Sequence, residues 1–149
     1  MGTHYAGTIE EVRTLDVYIK LSRAAESVMQ RINGHLQDNN LTISQFGVLE
    51  ALYHLGSLQP SQLARKVLKS TGNMTLVIDN LVKRGLVTRQ RRADDRRCID
   101  ISLTEDGVVL IESIFPTHVA GVVNTISALS SNEQQQLASL CRKLGKSSE

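Results

Sequence analysis

The sequence predicts a mainly α-helical fold carrying one small β-hairpin. Three observations predict it. The 149 residues are 41% apolar but only 3% aromatic, with no tryptophan, an aliphatic composition suited to packed helices. Only two prolines occur, Pro60 and Pro116, so long helices are permitted almost everywhere. Apolar residues recur at helical spacing along most of the chain and switch to strict alternation only near residues 86–103. The length suits one compact domain, or a small domain with an association element.

The first predicted helix covers residues 9–39. Its stripe is Val12, Leu15, Ile19, Ala25, Met29, Ile32 and Leu36, and Gly34 is its weak point. In "LTISQFGVLEALYHLG", Thr42 and Gln45 have capping-box spacing: the threonine oxygen takes a first-turn N–H while the glutamine reaches back. Phe46, Leu49 and Leu52 give this second helix one apolar face, and Gly56 stops it. "QPSQLARKVLKS" is a short third helix, with Pro60 in its first turn and Leu63, Val67 and Leu68 inward. "STGNMTLVIDNLVKRG" is a fourth. Ser70 or Thr71 caps it, Lys83 and Arg84 complement its dipole, and Gly85 ends it. Met74, Val77, Ile78 and Leu81 form its core face, while Asn73, Leu76, Asp79, Asn80 and Lys83 point elsewhere.

Two strands follow, "LVTRQR" and "CIDISL", alternating around a polar connection, which is a hairpin pattern. Thr104 then caps a fifth helix with Glu105 and Asp106 in its first turn. Its stripe is Val109, Ile111, Ile114, Val119, Val122 and Ile126, and Pro116 is placed to bend it. "SSNEQQQLASLCRKLG" is a sixth helix with a second capping box, Ser130 and Glu133, and a stripe of Leu137, Leu140, Cys141 and Leu144.

Net charge is only +2, but its distribution is uneven. Residues 59–97 carry +7 and the rest of the chain −5, so one segment holds the positive field. That asymmetry fits a polyanionic partner, and a solvated basic surface is the plainer alternative. Two distant cysteines, Cys98 and Cys141, make neither a disulfide framework nor a metal site. No apolar run is expected to span a membrane and no leader pattern opens the chain, so a cytoplasmic location without membrane association is the expectation. An enzyme is disfavoured. There is no nucleophile–base arrangement, no phosphate-cradling glycine loop and no metal-ligand spacing, and His4, His35, His54 and His118 are scattered. No cofactor is expected.

The third and fourth helices, joined by a tight turn, have the form of an element that enters a DNA major groove. Gly72 and Asn73 are small enough to let the backbone approach base edges. The hairpin tip, "RQRRADDRR", carries five arginines in nine residues: Arg89, Arg91, Arg92, Arg96 and Arg97. Such a tip can reach a phosphate row or the minor groove, where the field of two strands favours arginine. Together these make a winged helix-turn-helix with a double-stranded DNA partner. The acids at the tip have two readings. Asp95, beside Arg97, can hold the guanidinium in a reaching conformation before DNA arrives. Alternatively, Asp94 and Asp95 serve turn chemistry alone. A purely architectural DNA binder without sequence preference also fits these residues.

Most of the chain, from "LTISQFGVL" through "NLVKRGLVTR" to "DDRRCIDISLTEDG", resembles the MarR family of bacterial regulators, closest to members that sense hydroperoxides or quinones. The resemblance implies a homodimer built from the first, fifth and sixth helices, with residues 9–39 and 104–146 for association and 42–103 as the winged unit of one domain. It implies recognition helices in successive major grooves of a palindrome, wings in the flanking minor grooves, and a repressor released by a small aromatic effector. Carried over by position, Arg97 is the minor-groove arginine and Asp95 its brace. Thr71, Gly72, Asn73, Thr75 and Leu76 fall on the groove-facing turn, with Lys83 further along. Leu76 departs from the polar or basic residue many members show there, and suits contact with a thymine methyl instead.

Sensing members carry a reactive cysteine early in the first helix, and this chain has none there. Cys98 is the remaining redox candidate, because Arg96 and Arg97 precede it and nearby positive charge lowers a thiol pKa. Packing at the strand edge is its alternative, and Cys141 reads as a small buried apolar residue. For a ligand pocket the polar candidates are Arg31, His35, Tyr53 and His54, each of which more readily fits a surface or satisfied core position.

Overall fold

The computed structural model describes residues 2–67 and 71–146. The elements run α1 (Ile9–Gln37), α2 (Ile43–Leu55), α3 (Pro60–Val67), α4 (Thr71–Lys83), β1 (Val87–Arg91), β2 (Ile99–Leu103), α5 (Glu105–Ile126) and α6 (Ser131–Lys146). This is the expected order of six helices and one hairpin. The inward Leu68 and the cap Ser70 lie outside the described residues. The chain divides into two compact units, one of Met1–Ile32 with Val119–Glu149 and one of Asn33–His118.

In the second unit the helices bury one face each. Leu36, Leu49, Leu63, Met74, Ile78, Leu81, Ile101 and Ile111 are all essentially inaccessible and form one continuous core. Each fully buried aliphatic side chain of this kind contributes roughly 1.5–3 kcal/mol. The caps explain where the helices begin and turn. The Gln45 N–H donates to Thr42 Oγ1 at 3.1 Å, and the Thr42 N–H to Gln45 Oε1 at 3.0 Å, a complete capping box. At the end of α4, the Leu86 N–H donates to the Leu81 carbonyl at 3.0 Å and the Gly85 N–H to that of Val82 at 2.9 Å. This double closure needs the left-handed backbone that Gly85 supplies at φ 71°.

The hairpin pairs Val87 with Leu103, Arg89 with Ile101 and Arg91 with Ile99. Ile101 is also bridged from its other side by Leu58, through two backbone bonds of 2.8 and 3.1 Å. A single bridging residue shows no alternation, so this rung was not legible in the sequence. Thr104 caps α5 as expected, accepting the Gly107 N–H at 3.0 Å. It also donates its hydroxyl to the Gly85 carbonyl at 2.6 Å, pinning α5 to the α4–β1 turn. Gly107 lies so close to the Leu86 carbonyl oxygen that an added Cβ would collide with it. α5 continues as a helix through Pro116.

Three expectations are corrected. α5 is, by length and composition alone, long and apolar enough to cross a membrane. Part of that apolarity is explained by Gly107, Ile111 and Ile114, which are buried in the core. Val109, placed on the same stripe, is instead 66% exposed. Cys141 is exposed rather than buried, because α6 buries no residue within one chain.

The first unit has little interior. Capping boxes fix the starts of α1 and α6: the Thr8 N–H donates to Glu11 and the Ser130 N–H to Glu133, both at 2.8 Å. Between α1 and α6 lies an open apolar groove of about 370 Å³, lined by Val17, Leu21, Ala24, Leu137, Leu140 and Leu144.

Candidate nucleic-acid interface

Every element of the candidate interface belongs to the Asn33–His118 unit. α4 is anchored by Met74, Ile78 and Leu81 on its inner side. Helical geometry then turns Gly72, Asn73, Thr75, Leu76 and Lys83 outward, and all five are exposed. Thr71 is the first residue of the helix. Two arginines fix the frame around α4. Arg84 donates from Nη1 to the Asn40 carbonyl at 2.7 Å and from Nη2 to that of Asn39 at 3.3 Å, tying the end of α4 to the α1–α2 turn. Arg89, in β1, forms an ion pair with Asp79 of α4. The wing is therefore fastened to α4 by a charged contact between side chains ten residues apart.

At the wing tip the arginines divide into braced and unbraced ones. Asp95 Oδ1 accepts the Arg97 backbone N–H at 3.1 Å and the Arg97 Nε–H at 3.3 Å. The same oxygen closes the turn and holds the side chain. Even so, the Arg97 side chain is 92% exposed. The ion pair engages one of about five guanidinium N–H donors, so most of the fork points to solvent. Asp94 braces Arg92 in the same manner, through Nε at 3.1 Å and Nη2 at 3.0 Å. That pair was not singled out in the sequence, although its i,i+2 spacing is the one read for Asp95 and Arg97. Arg91 and Arg96 are exposed. Hydrogen bonds from Arg97, first backbone and then side chain, hold the Asp95 carboxyl below the usual range. Asp94 raises Arg92 above its ordinary value, by hydrogen bonding first and charge second.

Cys98 does not have the environment expected from its arginine neighbours. Burial raises the thiol pKa, and the charge of Asp95 raises it further. The thiol lies 3.6 Å from Asp95 Oδ2, half-buried at the base of the tip. The preceding arginines aim outward, so the carboxylate dominates the local field.

Of the four ligand-pocket candidates, Arg31 belongs to the other unit and donates to Ser27 Oγ at 3.1 Å. The other three join a row of rings. Tyr53 meets His54 at 5.2 Å between centroids, His54 meets Phe115 at 5.2 Å, and His118 meets Phe46 at 4.4 Å and His35 at 5.3 Å. Tyr53 also donates its hydroxyl to Glu112 at 3.2 Å, which raises its pKa. His35 Nε2 and His118 Nδ1 are buried without a hydrogen-bond partner among the described residues. Burial lowers the His118 pKa first, His35 lowers it further, and Glu50 opposes both. Phe46, Phe115 and His118 were not recognised as part of this group, because residues so far apart in sequence show no shared spacing.

A helix with one face buried and the other exposed, a helix packed before it and a braced arginine wing after it define a winged helix-turn-helix, the fold of DNA-binding transcriptional regulators. The MarR family model matches residues 41–99. The regulator MhqR of Bacillus subtilis is 35% identical over 133 residues, covering 89% of this chain and 92% of its own. The chain belongs to the MarR family. The transcriptional repressor MprA of Escherichia coli is 32% identical over 118 residues, covering 73% of this chain and 67% of its own. Among solved structures, the Staphylococcus aureus MepR–DNA complex superposes with a TM-score of 0.79 at 22% identity, over 87% of this chain and 96% of that one. Bordetella bronchiseptica BpsR, whose DNA binding is regulated by 6-hydroxynicotinic acid, superposes with a TM-score of 0.80 at 24% identity, over 97% and 98%. At these identities the two structures speak for the fold alone.

Proposed function

We propose that this chain is a cytoplasmic, homodimeric repressor that binds a palindromic operator and is released by a small aromatic or phenolic ligand. The observation that carries the reading is Arg97, held by Asp95 yet 92% exposed, on a wing fastened to α4 by Arg89 and Asp79. Thr71, Gly72, Asn73, Thr75 and Leu76 of α4 would enter the major groove, with Lys83 near the backbone. Arg97 would enter the minor groove, and Arg91, Arg92 and Arg96 would meet phosphates. Arg89, paired to Asp79, would position the wing.

A second copy of the chain is supported by what one copy leaves uncovered. Val17, Leu21, Leu137, Leu140 and Leu144 stay exposed. Residues 9–39 and 104–146 would associate, and 42–103 would form the winged unit. An effector that lowers operator affinity is supported by the ring row from Tyr53 to His35, where two buried imidazole nitrogens have no hydrogen-bond partner among the described residues. BpsR supplies the precedent of an aromatic acid acting on a protein of this fold.

The test begins with random duplex DNA, from which the protein selects its preferred sequence. A palindromic product, bound by a dimer and released by phenols, quinones or aromatic acids, is expected. Equal binding to selected and random duplexes would reduce the protein to an architectural DNA binder.

A further inference from the structure

We infer that Leu76 is a specificity residue that reads thymine, by covering the C5 methyl group of one thymine in each half-site. The inference rests on the DNA-binding reading above. Leu76 is 61% exposed on α4. Among the described residues from 71 to 104, it is the only large apolar side chain left so open to solvent. Every other large aliphatic residue of α4 is wholly or partly buried: Met74, Ile78 and Leu81 fully, Val77 and Val82 against them. The helix therefore has no packing use for Leu76.

Its position is informative. Leu76 lies in the second turn of α4, on a stripe with Asn73 before it and Asn80 and Lys83 after it. A leucine on such a stripe, within a segment of net charge +7, is poorly suited to an apolar protein partner. In the major groove only thymine offers an apolar group, its C5 methyl, whereas the other base edges present donors and acceptors. Leucine cannot donate or accept, so opposite a polar base edge it would leave that edge unpaired. Opposite thymine it removes two apolar surfaces from water at once. The preference is thus set by attraction to one base and by the cost of facing the other three.

The experiment uses the duplex that full-length protein enriches from a random pool. Each thymine is replaced in turn by deoxyuridine, which deletes only the methyl group, and binding is titrated with wild type and Leu76→Ala. The substitution is at an exposed position and alanine favours helix, so the variant folds. At one thymine per half-site, wild type should lose about fourfold in affinity, the effect of uncovering one methyl group. Leu76→Ala should start weaker and lose nothing more at that thymine, while matching wild type at every other position. If no thymine separates the two proteins, the inference is overturned and the DNA-binding reading stands. If no duplex is enriched at all, both fall together.

Discussion

Asp95 Oδ1 accepts two hydrogen bonds from Arg97, one from the backbone N–H at 3.1 Å and one from Nε at 3.3 Å. The turn and the guanidinium direction are set by the same atom. Free of DNA, the side chain is already partly ordered, so less rotamer freedom is lost on binding. Asp95→Ala should therefore weaken operator binding by about three- to tenfold, the scale of ordering one rotamer-rich side chain. Asp95→Asn, which keeps an acceptor for the turn, should lose less. In an Arg97→Ala background, Asp95→Ala should cost little more. Full additivity in that double-mutant cycle would show that Asp95 acts independently of Arg97.

His118 gives a pH prediction. Its pKa lies below the ordinary value of 6.5, chiefly through burial. The native state prefers the neutral ring, so the unfolded chain takes up the proton first as pH falls. The associated stability is fully present above about pH 6.5 and is lost as pH drops through the folded value. His118→Phe should flatten the fall of melting temperature as pH drops below about 6.5, relative to wild type. Parallel curves for the two proteins would remove His118 from the account.

Peroxide should release wild-type protein from its operator only weakly. A raised thiol pKa leaves little thiolate at Cys98, and the thiolate is the reactive form. Cys98→Ser should keep both DNA binding and its response to reversible phenolic ligands. Strong release of wild type by peroxide or quinone, absent in Cys98→Ser, would make the wing cysteine the sensor.

α6 buries nothing within one chain, which supports the proposed second copy over its apolar stripe. A chain ending before Ser131 should be aggregated or, if soluble, unable to bind the operator. Sedimentation and a gel-shift titration check this. A soluble truncated monomer with full-length affinity would contradict the dimer.

The helices were legible because their signals are local. Thr42 with Gln45, Ser130 with Glu133, and Gly85 each act within a few residues, and the structure places their hydrogen bonds as the spacing requires. The exposed face of α4 was legible for the same reason, since burying Met74, Ile78 and Leu81 leaves the opposite side no choice. Contacts across turns were not. Asp79 and Arg89 meet only because the α4–β1 turn folds back, and Leu58 reaches Ile101 across 43 residues of chain. Cys98 was misjudged because its sequence neighbours, Arg96 and Arg97, are not what faces its sulfur; Asp95 is. Cys141 and Val109 were assigned to buried stripes, but periodicity reports that a face is apolar, not what covers it.

The most direct test of the central claim is the operator affinity of Arg97→Ala, measured by fluorescence anisotropy on the selected duplex at fixed salt. The Arg97 side chain is 92% exposed, so its removal should leave circular dichroism and melting unchanged. Loss of a minor-groove arginine should cost about 1–3 kcal/mol, or roughly five- to 150-fold in affinity. Wild-type affinity in a well-folded Arg97→Ala protein would contradict the account of the braced wing.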